Sequence, residues 1–183
     1  SFQEALQCVH FMNLCYNMDT RTTGLGFGRM DQYLYPYYIR DIESGKITRE
    51  YALDLIDCFR IKVMGKRNFK DPAARQALSK ESHFYPVTLG GTLPDGRDAC
   101  NEVSFLFLES ADRLHMPHPT LSIRWHPNLD PAFADRAMAL CAKGMGYPAW
   151  FNDMEGIKYL LSEGVSYEDA QDYSLSGCVF QNV

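Results

Sequence analysis

The sequence predicts a helix-rich α/β fold, and three observations carry that prediction. Apolar residues recur at helical spacing over several long stretches. From residue 86 onward, such stretches alternate with short apolar runs of strand length. The chain has 183 residues, 46% apolar and 13% aromatic, which is enough for one packed core. No repeat, linker or low-complexity tract divides it, so residues 1–183 are expected to form one unit.

The elements follow in order. Over residues 2–18, Leu6, Cys8, Val9, Met12, Leu14 and Cys15 lie at helical spacing. Gly24, Gly26 and Gly28 read as a plain turn, because they lack the G-x-G-x-x-G spacing of a phosphate-binding loop. Residues 29–38, with Tyr33, Tyr35, Tyr37 and Tyr38, read as a buried aromatic wall in which Arg29 and Asp31 pair to hold the turn. A second long helix is expected over 48–66, with Thr48 as N-cap and Tyr51, Leu55, Phe59 and Val63 on one face. Polar and proline residues make 68–86 an irregular excursion, and a short strand at 86–89 ends at Gly90 and Gly91. Residues 94–97 form a turn, 100–113 a third helix and 121–125 a strand. Asp130 and Pro131 are an N-cap followed by proline at the first helical position, and Gly144 or Gly146 ends that helix. A strand at 148–151 leads to a helix capped by Asp153, running to Glu163 and stopped by Gly164. Ser166 and Asp169 open a further short helix in capping-box style. Cys178 then lies in a loop with Ser176, Gly177 and Val179.

Composition narrows the function. The net charge of −5, with acids and bases interspersed, argues against a nucleic-acid surface. No apolar run reaches the length of a membrane span, and no charged segment followed by an apolar one marks a signal peptide. None of the six cysteines forms a C-x-x-C pair, and most fall inside apolar helical patterns as expected core residues. That usage points to a reducing cytoplasmic setting. The chain opens at Ser1 inside a helical pattern and stops five residues after Cys178, so it is expected to be a fragment of a longer polypeptide.

Cys178 is the leading candidate for chemistry. Gly177 lets the backbone pass close to another segment, and Val179 and Phe180 give the loop an apolar character. An apolar environment keeps a thiol protonated, which suits hydrogen-atom chemistry better than a thiolate nucleophile. The plain alternative is an inert core cysteine. His115 and His118 are a weak metal pair, since Pro117 breaks helical i, i+4 spacing and no acid or cysteine stands at ligand distance. His126 reads as structural.

The order of several segments resembles the glycyl radical enzymes of the pyruvate formate-lyase type. These are residues 28–38 (GRMDQYLYPYY), Leu89-Gly90-Gly91 with 95–104 (DGRDACNEVS), 117–124 (PHPTLSIR), 146–153 (GYPAWFND), and 164–173 leading into Gly177-Cys178-Val179. Cys100 stands where that family usually has Thr. The match covers nearly the whole chain. It implies part of a ten-stranded α/β barrel, the pyruvate formate-lyase-like catalytic domain without its radical-glycine domain. Cys178 would sit on a loop facing the radical glycine and carry the thiyl radical that takes hydrogen from a small-molecule substrate. A radical-SAM activase with an iron–sulfur cluster would install the glycyl radical; the resemblance implies no bound cofactor or metal. A homodimer is admitted.

Three departures bear on the reaction. No RV-x-G-(Y/F) segment occurs here, so these residues alone are expected to be inactive. Branches that dehydrate diols, cleave choline or decarboxylate hydroxyphenylacetate carry Cys-x-Glu, whereas Phe180 occupies that place here. Acyl transfer by an adjacent cysteine pair lacks its second thiol, because Gly177 and Val179 flank Cys178. The expected reaction is therefore C–C or C–X bond cleavage or formation at a single-cysteine site. Val179, Phe180 and Trp150 are the candidate pocket residues. The alternatives are fumarate addition to a hydrocarbon, as in the alkyl- and benzylsuccinate synthases, an arylacetate decarboxylation, or a degenerate, non-catalytic barrel protein.

Overall fold

The computed structural model describes residues 1–20, 24–65 and 84–183. Three helices come first: α1 (Phe2–Thr20), α2 (Met30–Glu43) and α3 (Arg49–Gly65). A repeating strand–helix unit follows: β1 (Val87–Gly90), α4 (Glu102–Leu114), β2 (Leu121–Trp125), α5 (Pro131–Cys141), β3 (Ala149–Asn152) and α6 (Asp153–Ser162). A short α7 (Tyr167–Gln171) leads to an antiparallel pair, β4 (Ser174–Ser176) and β5 (Phe180–Asn182).

The sheet is parallel in the order β1-β2-β3, with Leu89 opposite Ile123 and Ile123 opposite Trp150. Parallel strands joined by crossover helices are covered on their faces, and β1 and the first four residues of β2 are accordingly buried. Phe2, Leu34, Ile56, Phe59, Val63, Leu106 and Phe107 pack with Leu89 and Ile123 in the main core. A smaller cluster of Ile157, Leu160, Ala170, Tyr173 and Leu175 lies under the β4–β5 pair.

Several helix starts are where local chemistry puts them. Thr48 Oγ1 accepts from Tyr51 N at 3.1 Å, Asp130 Oδ1 from Ala132 N at 2.8 Å, and Ser166 Oγ from Asp169 N at 3.1 Å. Others differ from expectation. Residues 30–38 belong to helix α2, which contains Pro36 and starts at Arg29 without a side-chain cap. Its helical period turns Met30, Leu34 and Tyr38 inward, leaving Tyr33 and Tyr37 exposed instead of forming a buried wall. On α3 the buried face is Ala52, Leu53, Ile56, Phe59, Arg60 and Val63, and Tyr51 lies outside it. Asn152, not Asp153, caps α6, accepting from Glu155 N at 3.3 Å. Gly24, Gly26 and Gly28 do not make a turn. Their segment runs beside 84–88, with Leu25 N donating to Phe84 O and Phe27 N to Pro86 O.

The cysteines also depart from the expected burial. Cys8, Cys15, Cys58 and Cys178 are exposed, and Cys100 and Cys141 are half-buried. On α1 the inward positions are Phe2, Leu6 and Asn13, so Cys8 and Cys15 share the outward face with Phe11, Met12 and Met18. Most of residues 68–86 lie outside the described residues. No described helix is long and apolar enough to cross a membrane.

Asn101 closes a capping box on α4, accepting from Val103 N at 2.9 Å while Ser104 Oγ accepts from Asn101 N at 3.1 Å. Its amide also donates to Asp31 O at 2.9 Å. Replacing it, Asn101→Ala, is expected to lower stability by about 1–2 kcal/mol in urea unfolding; an unchanged midpoint would show that α4 needs no side-chain cap.

Candidate active site

Cys178 lies at the tip of the β4–β5 hairpin. Ser174 pairs with Asn182, Leu175 with Gln181 and Ser176 with Phe180, so residues 177–179 make the turn. Gly177 has φ +59°, a left-handed conformation that other residues adopt at a steric cost. Gly177 is needed for this conformation rather than for close approach, because a Cβ there would meet only Phe180 Cδ2 at 3.9 Å. Val179 is 64% and Phe180 72% exposed, and Cys178 is exposed too. The apolar enclosure expected around the thiol is therefore absent among the described residues. Val179 and Phe180 point outward, while Tyr173 and Leu175 at the base of the hairpin are fully buried.

Two strands of three residues are marginal by themselves. This pair is held by what lies beneath it. Leu175 N donates to Thr88 Oγ1 of β1 at 2.9 Å. Gly26 passes under Leu175 so closely that a Cβ on it would collide with the Leu175 carbonyl oxygen and come within 3.3 Å of Ser176 Cα. Gly24 is next to the tip, where a Cβ would stand 3.9 Å from Gly177 Cα. The two glycines are thus a floor for β4.

Two arginines hold the chain entering β4. Arg124 projects from β2 with 0% exposure. Its Nη1 donates to Tyr173 O and its Nη2 to Gln171 O, both at 2.8 Å. Its Nε donates to Asp153 Oδ1 at 2.6 Å, and its guanidinium stacks over the Tyr173 ring at 4.0 Å. Asp153 Oδ2 accepts from Thr92 N and Thr92 Oγ1, so both oxygens of the buried carboxylate are hydrogen-bonded. A Cβ at Gly91 would stand 2.8 Å from Arg124 Cζ, so the guanidinium occupies space that only glycine leaves. Arg29 approaches from the other side: Nη1 donates to Asp172 Oδ1 at 2.8 Å and Gln171 O at 3.4 Å, and Nη2 to Gly90 O at 3.0 Å.

Arg29 and Asp31 do not pair with each other, contrary to the sequence expectation. Instead each takes one end of the same residue of β1. Arg29 holds Gly90 O, and Asp31 Oδ2 accepts from Gly90 N at 2.8 Å and from Ser104 Oγ at 2.7 Å. Burial pushes the Asp31 carboxyl above its ordinary range, against those hydrogen bonds and the Arg29 charge.

Cys178, Val179 and Phe180 are brought together at the tip. Trp150 is not part of that group: its indole donates to Cys141 Sγ at 3.4 Å on the α5 side of β3. Its neighbour Phe151, on the opposite face of the strand, packs against the small cluster that contains Leu175. His126 Nε2 lies 3.1 Å from Asp98 Oδ1, an anchor between loops. Among the described residues no three His, Cys, Asp or Glu side chains gather as metal ligands. Sequence reasoning misses Gly26, Thr88 and Arg124 as supports of the hairpin. A lone Arg in an otherwise apolar buried strand is the available signal for Arg124.

Arg124→Lys keeps the charge but cannot span a carboxylate and two carbonyls. It is expected to destabilise the protein by roughly 2–4 kcal/mol in urea unfolding. Wild-type stability in that variant would mean that the Gln171 and Tyr173 carbonyls do not depend on this side chain.

Known proteins share this arrangement of elements. Residues 1–183 match the family described as pyruvate formate lyase-like. The isethionate sulfite-lyase of Bilophila wadsworthia is 35% identical, over 97% of this chain and 22% of its own length. A structure from a study of 1,2-propanediol dehydration in Roseburia inulinivorans superposes with a TM-score of 0.93 at 36% identity, covering 100% of this chain and 23% of that one. A glycyl radical enzyme from Archaeoglobus fulgidus superposes with a TM-score of 0.91 at 32% identity, covering 100% and 24%. The chain thus spans under a quarter of each of these relatives, and its strand–helix repeat is a segment of an α/β barrel. The chain belongs to the pyruvate formate lyase-like family of glycyl radical enzymes.

Proposed function

We propose that in the complete protein Cys178 is the hydrogen-abstracting residue of a radical lyase. The observation that carries this reading is the placement of one thiol at the tip of a hairpin whose base is fixed by buried hydrogen bonds between its backbone and the side chains of Arg124 and Thr88. Fixed reacting groups gain rate through orientation. In the first step Cys178 gives the hydrogen of its Sγ–H to the glycyl radical, so the S–H bond breaks and the glycine Cα–H bond forms. In the second, the Cys178 sulfur takes a hydrogen atom from a substrate C–H bond, restoring S–H and leaving a carbon radical on the substrate. A radical-SAM activase supplies the initial radical. The relatives support the lyase class by name, one being a sulfite-lyase and another coming from a study of dehydration.

Phe180 narrows the substrate. It stands where the dehydrating and hydroxyphenylacetate-decarboxylating branches carry a glutamate, and it can neither accept nor donate a proton. Together with exposed Val179 it presents an apolar edge beside the thiol. The substrate this favours is apolar or aromatic next to the reacting carbon, as in fumarate addition to a hydrocarbon or decarboxylation of an arylacetate.

Two experiments test these statements on the full-length protein, activated without oxygen. Cys178→Ser is expected to keep the glycyl EPR doublet and lose turnover; retained turnover would remove Cys178 from the reaction. Phe180→Glu is expected to lower kcat/KM on the wild-type substrate by about tenfold or more. Equal activity in that variant would show that position 180 does not read the substrate.

A further inference from the structure

The hairpin that carries Cys178 has an unequal pair of strands. Strand β4 is anchored by buried Leu175, by Thr88 and by the Gly26 floor. In β5, Phe180 and Asn182 are exposed, so Gln181 is the strand's one inward side chain. It lies opposite Leu175 and therefore on the same face. Among the described residues, a polar side chain is thus the inward hold on the strand that returns from the tip.

Gln181 meets a second unsatisfied group. Its Oε1 is buried without a hydrogen-bond partner, and so is the hydroxyl of Tyr173, a residue with 0% exposure. Both side chains converge on Gly156 of α6, where a Cβ would stand 2.7 Å from Tyr173 Oη and 2.8 Å from Gln181 Nε2. The other acceptor near the phenol is Asp153, whose Oδ1 also accepts from Arg124 and whose Oδ2 accepts twice from Thr92. Burial holds the phenol protonated, so it keeps a hydrogen to donate. A buried donor and a buried acceptor left apart destabilise a fold by roughly 1–3 kcal/mol each. Rotation of the Gln181 side chain that brings its oxygen toward the phenol supplies the Tyr173 donor with an acceptor.

We propose that the Tyr173 hydroxyl donates to the Gln181 side-chain oxygen across Gly156, and that this bond fixes strand β5 and with it the position of the Cys178 sulfur. The inference rests on the role of Cys178 proposed above. Tyr173, Gln181 and Gly156 are positioning residues: each acts through the register of the hairpin that carries Cys178. A slip of one residue would turn Gln181 outward and move the tip.

The test uses the full-length protein activated without oxygen and then transferred to heavy water. The Cys178 S–H exchanges with solvent, so reversible hydrogen transfer between Cys178 and the glycyl radical replaces the glycine α-hydrogen by deuterium. The EPR doublet collapses at a rate that needs no substrate and is normalised to the radical present. Gln181→Met and Tyr173→Phe are expected to slow that collapse by about tenfold or more, the scale of a misplaced reacting group. Gln181→Glu, which retains an acceptor oxygen, should stay within about threefold of wild type by the same reasoning. Collapse at the wild-type rate in both Gln181→Met and Tyr173→Phe, with Cys178→Ala blocking it, would overturn the positioning role alone. Wild-type collapse in Cys178→Ala would instead overturn the role of Cys178 itself.

Discussion

The structure around Cys178 depends on one buried guanidinium. Arg124 is fully enclosed, and its three hydrogen-bonded nitrogens divide the work between them. One holds the Asp153 carboxylate at the start of α6, and two hold the carbonyls of Gln171 and Tyr173. A buried ion pair is stabilising only when the remaining hydrogen-bonding capacity is used, and Thr92 completes the carboxylate's share. Arg124 arises from the middle strand of the sheet, so the loop that bears the thiol is tied directly to the buried sheet. Without that link the approach to β4 would carry unsatisfied carbonyls over a three-residue strand, and the hairpin would have little reason to adopt one register.

Glycine supplies the second constraint. Gly91 leaves room for the Arg124 head, Gly26 lets one backbone pass beneath Leu175, and Gly156 leaves space for two polar side chains. In each case the missing side chain makes a place for a group from a distant part of the sequence. The three sites lie on different segments yet serve one hairpin.

Sequence distance separates what can be read in the chain from what cannot. The strands at 87–90 and 121–125 and the caps Thr48, Asp130 and Ser166 rest on neighbours a few residues apart, and local pattern reveals them. Helix α2 is hidden because Pro36 and an uncapped start disguise its period. Asp153 resembles a cap because Asp often is one, yet its partner Arg124 lies 29 residues earlier. Arg29 and Asp31 look like a pair because they are close in sequence, while both reach to Gly90, at separations of 61 and 59 residues. The ordered family segments are legible and single out Cys178; its exposure among the described residues is not, because burial depends on what folds over a loop.

The supports of the hairpin have a consequence for how such proteins diversify. Among the described residues, the anchoring contacts are made by main-chain atoms or by side chains at 172, 173, 175 and 181, and none by the side chains of residues 178 to 180. The hairpin tip is therefore a replaceable cartridge on a standardised mount. Substitutions at 178 to 180 are expected to cost the fold little, so proteins with this mount can vary at the tip more freely than beneath it.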